Sequence, residues 1–385
     1  MLNSELLTGY NPSVHPGHQY SGQLLNVNAS FMLRKIQTFD ELTSTFAIVG
    51  VLSAYWYDER LDWTPTNYND LKVTHFKLKE IWTPPFVLGN SQDDIDLIGN
   101  GDMHVAVTFA GVVNWLVPIK ISTTCDADVT YYPFDQQSCV VLLLPWGYDA
   151  SLIQLNAIGA TLDLTNYAEN PIWNLVSTSL HSAQTPSLYL GMRITFKRKS
   201  MFFVMNFILP TILMCFINVF VFILPAESGE RVGFCITVLL AIAVFLSIVS
   251  SALPQTSTPQ MAILCYLLVV HIVLSIMIMI CTICGLRFHF RSEEDQVPSW
   301  IARLTRYVGN VRGTNLNRSS VSPDSTDPVS VTAKTDADII GVDTSVLSEV
   351  SWKHVSTAFN RVCFVFFIVT AMSCNIAFLF VLSVS

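Results

Sequence analysis

Three stretches of the chain carry no charged side chain: residues 200–226, 232–286 and 362–385. A helix needs about 20 apolar residues to cross a bilayer, so the first and last stretches each predict one crossing. The middle stretch is too long for a single helix. It is interrupted at "LPQTSTPQ" (Leu253 to Gln260), where prolines and hydroxyls mark a turn. The pattern therefore predicts four membrane spans. In the first, Pro210 falls mid-helix, which a membrane helix tolerates when neighbouring groups re-satisfy the backbone.

Upstream of these stretches the pattern changes from continuous to alternating. "HVAVTFAG", "IKIST", "SCVVLLL" and "YLGMRITFKRK" each switch between apolar and polar positions. In the last, Tyr189, Gly191, Arg193, Thr195 and Lys197 alternate with Leu190, Met192, Ile194 and Phe196, the signature of a half-buried strand. Many short strands between Pro, Asn, Asp and Gly clusters predict a β-sandwich. "SELLTGY" predicts a short helix that ends before the proline-containing "NPSVHPG". The expected fold is thus all-β followed by all-α. It consists of an extracellular immunoglobulin-like β-sandwich of about ten strands with a short N-terminal helix, then a four-helix transmembrane bundle. The expected boundaries are 1–199 for the sandwich, 200–286 for spans one to three, 287–355 for a cytoplasmic loop and 356–385 for the fourth span. Within the loop, "PSWIARLTRYVG" is amphipathic and basic, and "SSVSPDSTDPVSVTAKTD" has the composition of a disordered segment.

Composition agrees with this division. The chain is 51% hydrophobic and 13% charged, against about a quarter charged in a soluble protein. Residues 1–199 hold 18 acids and 11 bases, an ordinary soluble balance. The net charge of −8 gives no reason to expect a nucleic-acid partner. No nucleophile–base grouping, metal-ligand spacing or phosphate loop stands out, so neither an enzyme nor a cofactor is expected. "MLNSELLTGY" has neither a basic start nor an apolar run, so a secretory signal is expected to have been removed.

Of nine cysteines, seven lie in or beside the apolar stretches, where they read as small packing groups. Cys125 and Cys139 are alone in the soluble part. They read as a disulfide formed in an oxidising compartment or, alternatively, as two buried free thiols. Asn28-Ala29-Ser30 is a candidate glycan acceptor. Six arginines between Arg287 and Arg318 place the loop before the last span in the cytoplasm, and Asn317-Arg318-Ser319 would then be out of reach of glycosylation. "KRK" (Lys197 to Lys199) runs against that charge rule, but the need to translocate a folded domain outweighs it.

The loop "CDADVTYYPFDQQSC" is followed by "LLPWGYDASLIQL" and preceded by "IWTPPFVLGNS" and "YWYDERLDW", with four spans after them. In this order the chain resembles the Cys-loop superfamily of pentameric ligand-gated ion channels, nearest its nicotinic, cation-selective branch. The resemblance covers nearly the whole chain. It implies a Cys125–Cys139 disulfide, five subunits around a pore, and a pore lined by the second span.

Steps of three and four along that span give Glu230, Gly233, Thr237, Leu240, Val244, Ser247 or Ile248, and Ser251, one stripe of a helix. In five copies, Glu230 would form a carboxylate ring that concentrates cations. Gly233 and Thr237 would form a narrow wet section, and Leu240 with Val244 an apolar gate that closes by dewetting. Anion-selective relatives typically place proline and alanine before the basic residue, whereas this chain has "SGER". Ser250 and Ser251 leave the outer ring neutral, which argues against strong divalent permeation. The alternative is that Glu230 only marks the lipid boundary and the hydroxyls bond back to their own helix.

By the same resemblance, movement passes to the pore through Glu41, the loop tip Tyr132, Pro133, Phe134 and Asp135, Arg198, and the linker at Leu253–Gln260. A Glu41–Arg198 pair is expected there; the alternative is Arg198 among lipid headgroups. The ligand site is less complete. Trp146 occupies the place of the central cage tryptophan, with a core tryptophan as the alternative. Gly89 and Val51 stand where a tyrosine and a tryptophan are expected. Tyr189 is the only aromatic of its loop, and Leu116 would be the facing apolar contact. Quaternary ammonium is held over several π-faces, so acetylcholine is not the expected agonist. Trp56, Trp63 and Trp82 read as core, and His271 as a packed residue in the third span.

The expected partners are four further subunits (homo- or heteropentamer), an unidentified small extracellular ligand, permeant cations and membrane lipid, in the plasma membrane. Two alternatives remain: an accessory subunit that contributes pore but no agonist site, and a non-conducting four-span adhesion or scaffold protein.

Overall fold

The computed structural model describes residues 2–17, 24–99, 101–185, 187–253, 261–292, 295–309 and 350–384. The linker at 254–260, the middle of the loop before the last span and the Asn317 triplet lie outside the described residues. Two compact units account for the chain, one of residues 1–210, 245–268 and 378–385, the other of 211–244 and 269–377.

The first unit opens with α1 (Leu2–Leu6) and then builds ten strands: β1 (Leu25–Asp40), β2 (Thr45–Asp62), β3 (Val73–Lys77), β4 (Phe86–Leu88), β5 (His104–Thr108), β6 (Ala110–Thr124), β7 (Gln136–Pro145), β8 (Ile153–Ala157), β9 (Trp173–Ala183) and β10 (Tyr189–Arg198). They form a six-stranded sheet in the order β3-β5-β6-β2-β1-β8 and a four-stranded sheet in the order β4-β7-β10-β9. All pairings are antiparallel except β1 with β8.

Alternation sets which face is buried. In β10, Leu190, Met192, Ile194 and Phe196 point into the core, as the sequence predicts. Gly191 departs from the expected outward position. It is buried because the His181 imidazole lies over it, and a Cβ there would come within 2.6 Å of that ring. The core between the sheets is aromatic: Phe46 stacks on Phe196 at 5.1 Å, and Trp173 meets Phe196 edge-on at 4.9 Å. Trp56, Trp63 and Trp82 are buried.

The four spans are α2 (Met201–Phe222), α3 (Arg231–Ser251), α4 (Ile263–His289) and α6 (Trp352–Val384), with α5 (Ser299–Gly309) between the last two. The proline of α2 is accommodated by a π-helical turn over Val204–Ile208, in which the Leu209 amide donates to the Val204 carbonyl. In the second unit, Phe222 stacks on Phe367 at 5.8 Å, and Asn218 Nδ2 donates to Ser275 Oγ at 2.9 Å. Polar bonds of this kind join apolar helices where hydrophobic burial cannot discriminate lipid from protein. His271 is buried in α4, as a packed residue should be.

Candidate functional site

Cys125 and Cys139 form a disulfide with Cα atoms 5.5 Å apart. It ties the end of β6, in one sheet, to β7 in the other. Between the two cysteines the chain turns through a cis Tyr132–Pro133 peptide bond, and the Ile263 amide at the start of α4 donates to the Thr130 carbonyl at 3.0 Å.

Arg198 ends β10 on its inward parity, in register with Phe196 and Ile194, so its side chain turns under the core. Its Nε donates to Asp135 Oδ1 at 2.7 Å and its Nη2 to Asp135 Oδ2 at 3.0 Å. Nη2 also donates to Glu41 Oε1. The guanidinium lies over Trp173 at 4.2 Å and within 4.9 Å and 5.2 Å of the Tyr132 and Phe203 ring centroids. Gln137 Nε2 also donates to Asp135 Oδ2, at 2.7 Å. Burial opposes the Arg198 charge, but the bonds to Asp135 and the two carboxylates outweigh it and hold its pKa above the ordinary guanidinium range. Burial likewise pushes the Tyr132 hydroxyl up to about 12, with Glu41 and Asp135 adding to it and Arg198 opposing.

The expected Glu41–Arg198 pair is therefore present, but Asp135 is the stronger partner. The sequence places Asp135 at the loop tip and gives no separate signal for Gln137, Trp173 or Phe203. The strand parity of Arg198 was the available signal: an arginine on the inward face of a strand must find carboxylates or rings.

Along α3, Glu230, Gly233, Thr237, Leu240, Val244, Ser247, Ile248 and Ser251 are all exposed, while Arg231, Cys235, Val238, Ile242 and Val249 are buried. The predicted stripe is thus the face of the helix that the rest of the chain leaves uncovered. Thr237 and Ser251 donate to the carbonyls of Phe234 and Ile248, each at 2.8 Å. Their hydroxyls do bond back to their own helix, yet each oxygen keeps acceptor capacity on the exposed face. The two adjacent charges at the start of the helix part company. Arg231 is buried, with Nε donating to the Leu224 carbonyl at 2.8 Å, and Glu230 is exposed.

Trp146 is 64% exposed on the loop after β7, so it is not a core tryptophan. Beside it is a cavity of about 520 Å³ bordered by Tyr148, Asp149, Ser151, Gln184 and Leu188. Hydrogen bonds from the Ser151 hydroxyl and amide hold the Asp149 carboxyl below its ordinary pKa. Of the five expected ligand residues, only Trp146 borders this cavity. Gly89, at the end of β4, is exposed, and a Cβ there would come within 2.5 Å of Leu144 Cδ1. Leu144 fills the space that a larger side chain would need. Tyr189 packs edge-on against His181 at 5.8 Å. Val51 and Leu116 belong to β2 and β6 of the other sheet, where they pair with Pro118 and Ser53, and Leu116 is exposed. Asn28 is half-buried in β1 and accepts a hydrogen bond from Asn156.

The family model for the neurotransmitter-gated ion-channel ligand binding domain matches residues 1–200, and that for the neurotransmitter-gated ion-channel transmembrane region matches residues 207–337. The chain belongs to the neurotransmitter-gated ion channel family. Among similar proteins are the Caenorhabditis elegans acetylcholine receptor subunit beta-type unc-29, 29% identical over 306 residues, covering 78% of this chain and 61% of that protein. The mouse neuronal acetylcholine receptor subunit alpha-6 is 29% identical over 311 residues, covering 79% of this chain and 62% of that protein. The human neuronal acetylcholine receptor subunit alpha-3 is 29% identical over 314 residues, covering 78% and 60%. The alignments thus span about three fifths of the length of these curated relatives. As a neurotransmitter-gated channel family member with four apolar helices, the chain is a plasma-membrane protein whose N-terminal domain lies outside. The family consists of channels, not enzymes.

Proposed function

We propose that this chain is one subunit of a pentameric, cation-selective channel that opens when an extracellular small molecule binds the sandwich. The observation that carries the reading is the separation of charges at the inner end of α3. Glu230 is exposed at the foot of the small and hydroxylated stripe, while Arg231 is folded onto Leu224 of its own subunit. Five such helices would present carboxylates to the conducting path and withhold the guanidinia. A ring of carboxylates concentrates cations and repels anions. Glu230 sets the selectivity, Gly233, Thr237, Ser247 and Ser251 line the wet sections, and Leu240 and Val244 form the gate. The Arg198–Asp135–Glu41 cluster, with Tyr132, Pro133 and Phe134, is the coupling element, and residues 287–355 form the cytoplasmic loop.

Reversal potentials under ion substitution test this reading. With wild-type channels the potential should follow sodium and potassium, and Glu230→Lys should weaken or invert that preference. A wild-type reversal that follows chloride would overturn it.

The agonist is not a quaternary ammonium such as acetylcholine. Trp146 is the one open aromatic of the expected set, Leu144 fills the place of the missing tyrosine, and Val51 replaces a tryptophan. That depletion favours a second reading, in which the chain is an accessory subunit that supplies pore but no agonist site. Surface pentamers of this chain alone, silent until a partner subunit is co-expressed, would select it.

A further inference from the structure

The end of β2 carries three consecutive charges, Asp58, Glu59 and Arg60, that the function proposed above does not use. All three hold the segment between α1 and β1. Glu59 Oε1 accepts from the Gly17 amide at 2.7 Å. Arg60 Nη1 donates to the Val14 and Asn11 carbonyls at 2.9 Å and 3.3 Å, and the guanidinium lies over the Tyr10 ring at 4.2 Å. Asp58 is fully buried, a burial that a carboxylate tolerates only when it is paired and hydrogen-bonded. Its Oδ1 accepts from the Arg60 amide and Nε, and its Oδ2 from Arg60 Nη2 and the Tyr10 hydroxyl.

Tyr10 carries this cluster toward Trp146. Its hydroxyl donates to Asp58 at 2.7 Å and accepts from the Trp82 amide and from Arg60 Nη2, each at 2.9 Å. One proton and two lone pairs are then all engaged. Burial, and then the Asp58 charge, hold the Tyr10 phenol above its ordinary pKa, so it stays a donor. Trp82 is 3% exposed, and its indole Nε1 donates to the Tyr148 hydroxyl at 3.0 Å. The Trp82 and Tyr148 rings meet edge-on at 5.9 Å, and His15 of the N-terminal segment meets Tyr148 in the same way at 5.9 Å. The Trp146 amide donates to the Pro85 carbonyl at 2.8 Å, three residues beyond Trp82. Tyr148 and Trp146 border the same cavity.

We propose that Tyr10 and Trp82 are positioning residues of the ligand site. The N-terminal segment, docked on Asp58, Glu59 and Arg60, fixes Tyr148 through them, and with it the loop that carries Trp146. Neither residue touches the ligand; both act through Tyr148. Trp146, Gly147 and Asp149 are exposed, so little burial orders this loop and its polar bonds must. A buried indole N–H is costly to leave unpaired, which holds the Tyr148 hydroxyl to one place. The inference rests on the ligand binding beside Trp146, as proposed above.

The test is amide hydrogen exchange, read by mass spectrometry on the full-length protein in nanodiscs with no agonist present. Its outcome is therefore separate from where the agonist binds and from whether the protein conducts. Tyr10→Phe keeps the ring under Arg60 and removes only the hydroxyl. It should raise exchange in residues 146–152 about fivefold to tenfold, the effect of one hydrogen bond on a local opening, and leave β10 unchanged. Tyr148→Phe should raise the same segment. The double variant should exceed the larger single change by little, because both cut one line of bonds. An unchanged loop in Tyr10→Phe overturns the proposal. So does a double variant that multiplies the two single effects, or a rise spread evenly over the sandwich, which would mark Tyr10 as a general stabiliser. If Tyr10→Phe fails to fold, Tyr148→Phe cuts the line from its outer end. Exchange at the Trp82 amide should then rise severalfold, and no change there overturns the proposal.

Discussion

Arg198 and Asp135 are joined by two parallel bonds, Nε to Oδ1 at 2.7 Å and Nη2 to Oδ2 at 3.0 Å, with both side chains almost fully buried. Glu41 adds a third bond from a more open position. Removing one partner of a buried pair leaves an uncompensated charge and typically costs about 3–5 kcal/mol. Losing one charged hydrogen bond at a more accessible site costs about 1.5–3 kcal/mol. Asp135→Ala should therefore lower thermal stability and surface expression more than Glu41→Ala. Equal losses in melting experiments on the purified receptor would sink this ranking. The exchange Asp135→Arg with Arg198→Asp should rescue poorly, because the guanidinium would leave the Trp173, Tyr132 and Phe203 rings.

That cluster illustrates what could be read from sequence and what could not. The spacing of Cys125 and Cys139 and the "YPFD" tip identified the loop, and alternation in β10 identified the strand. Both are local patterns. The bidentate partner of Arg198 lies 63 residues away, and its ring neighbours come from the same loop, β9 and α2, contacts that no local period encodes. Along α3 the stripe was legible because helical spacing is itself the signal. The burial of Arg231 beside an exposed Glu230 was not, since adjacent charges give no clue to which one folds back. Trp146 could be named from its neighbours, but its exposure depended on the path of the loop after β7.

Tyr132 supplies a pH signature for the same cluster. Its hydroxyl is raised to about 12 in the folded state, against about 10 in an unfolded chain. The fold thus favours the neutral phenol. The associated stability is fully present below pH 10 and is lost as pH rises from 10 toward 12. Tyr132→Phe removes the titrating group, so its melting temperature should fall less steeply over that range than wild type. Parallel curves would show that the phenol is not held neutral by the fold.

The Cys125–Cys139 bridge closes a loop of about 15 residues, for which the chain-entropy model gives about 3 kcal/mol. Cys125→Ser with Cys139→Ser should lower the melting temperature and cut surface expression, as should reductant on the wild type. Alkylation before and after reduction counts the thiols concerned. Quantitative labelling of both cysteines without reductant would contradict the bridge.

Gly89 and Leu144 form a paired test of the ligand face. Because a Cβ at position 89 would come within 2.5 Å of Leu144 Cδ1, Gly89→Tyr must turn the half-buried Leu144 side chain from its place, at a cost below the about 1–3 kcal/mol of overpacking a closed core. Leu144→Ala should relieve that cost. The double variant should then melt closer to the single Leu144→Ala variant than additivity allows. Strict additivity in the cycle would mean that Leu144 does not occupy the vacated space.

Leu240 tests the proposed gate directly. Five exposed leucines meeting at one level would hold the closed pore dry, and each contributes about 1.5–3 kcal/mol of apolar transfer energy when removed from water. Leu240→Ser takes that preference away from every subunit at once. A shift of only 1.4 kcal/mol in the closed–open balance is tenfold, so even a small share of the lost energy should give a large standing current without agonist. Ile242, two residues on, is 1% exposed and packs within its own chain. Ile242→Ser should instead damage folding and lower surface expression, with no standing current per channel. The comparison separates gate from core because both changes put the same hydroxyl into the same helix. Surface-expressed Leu240→Ser channels that stay closed at rest, alone and with a partner subunit, would remove Leu240 from the gate.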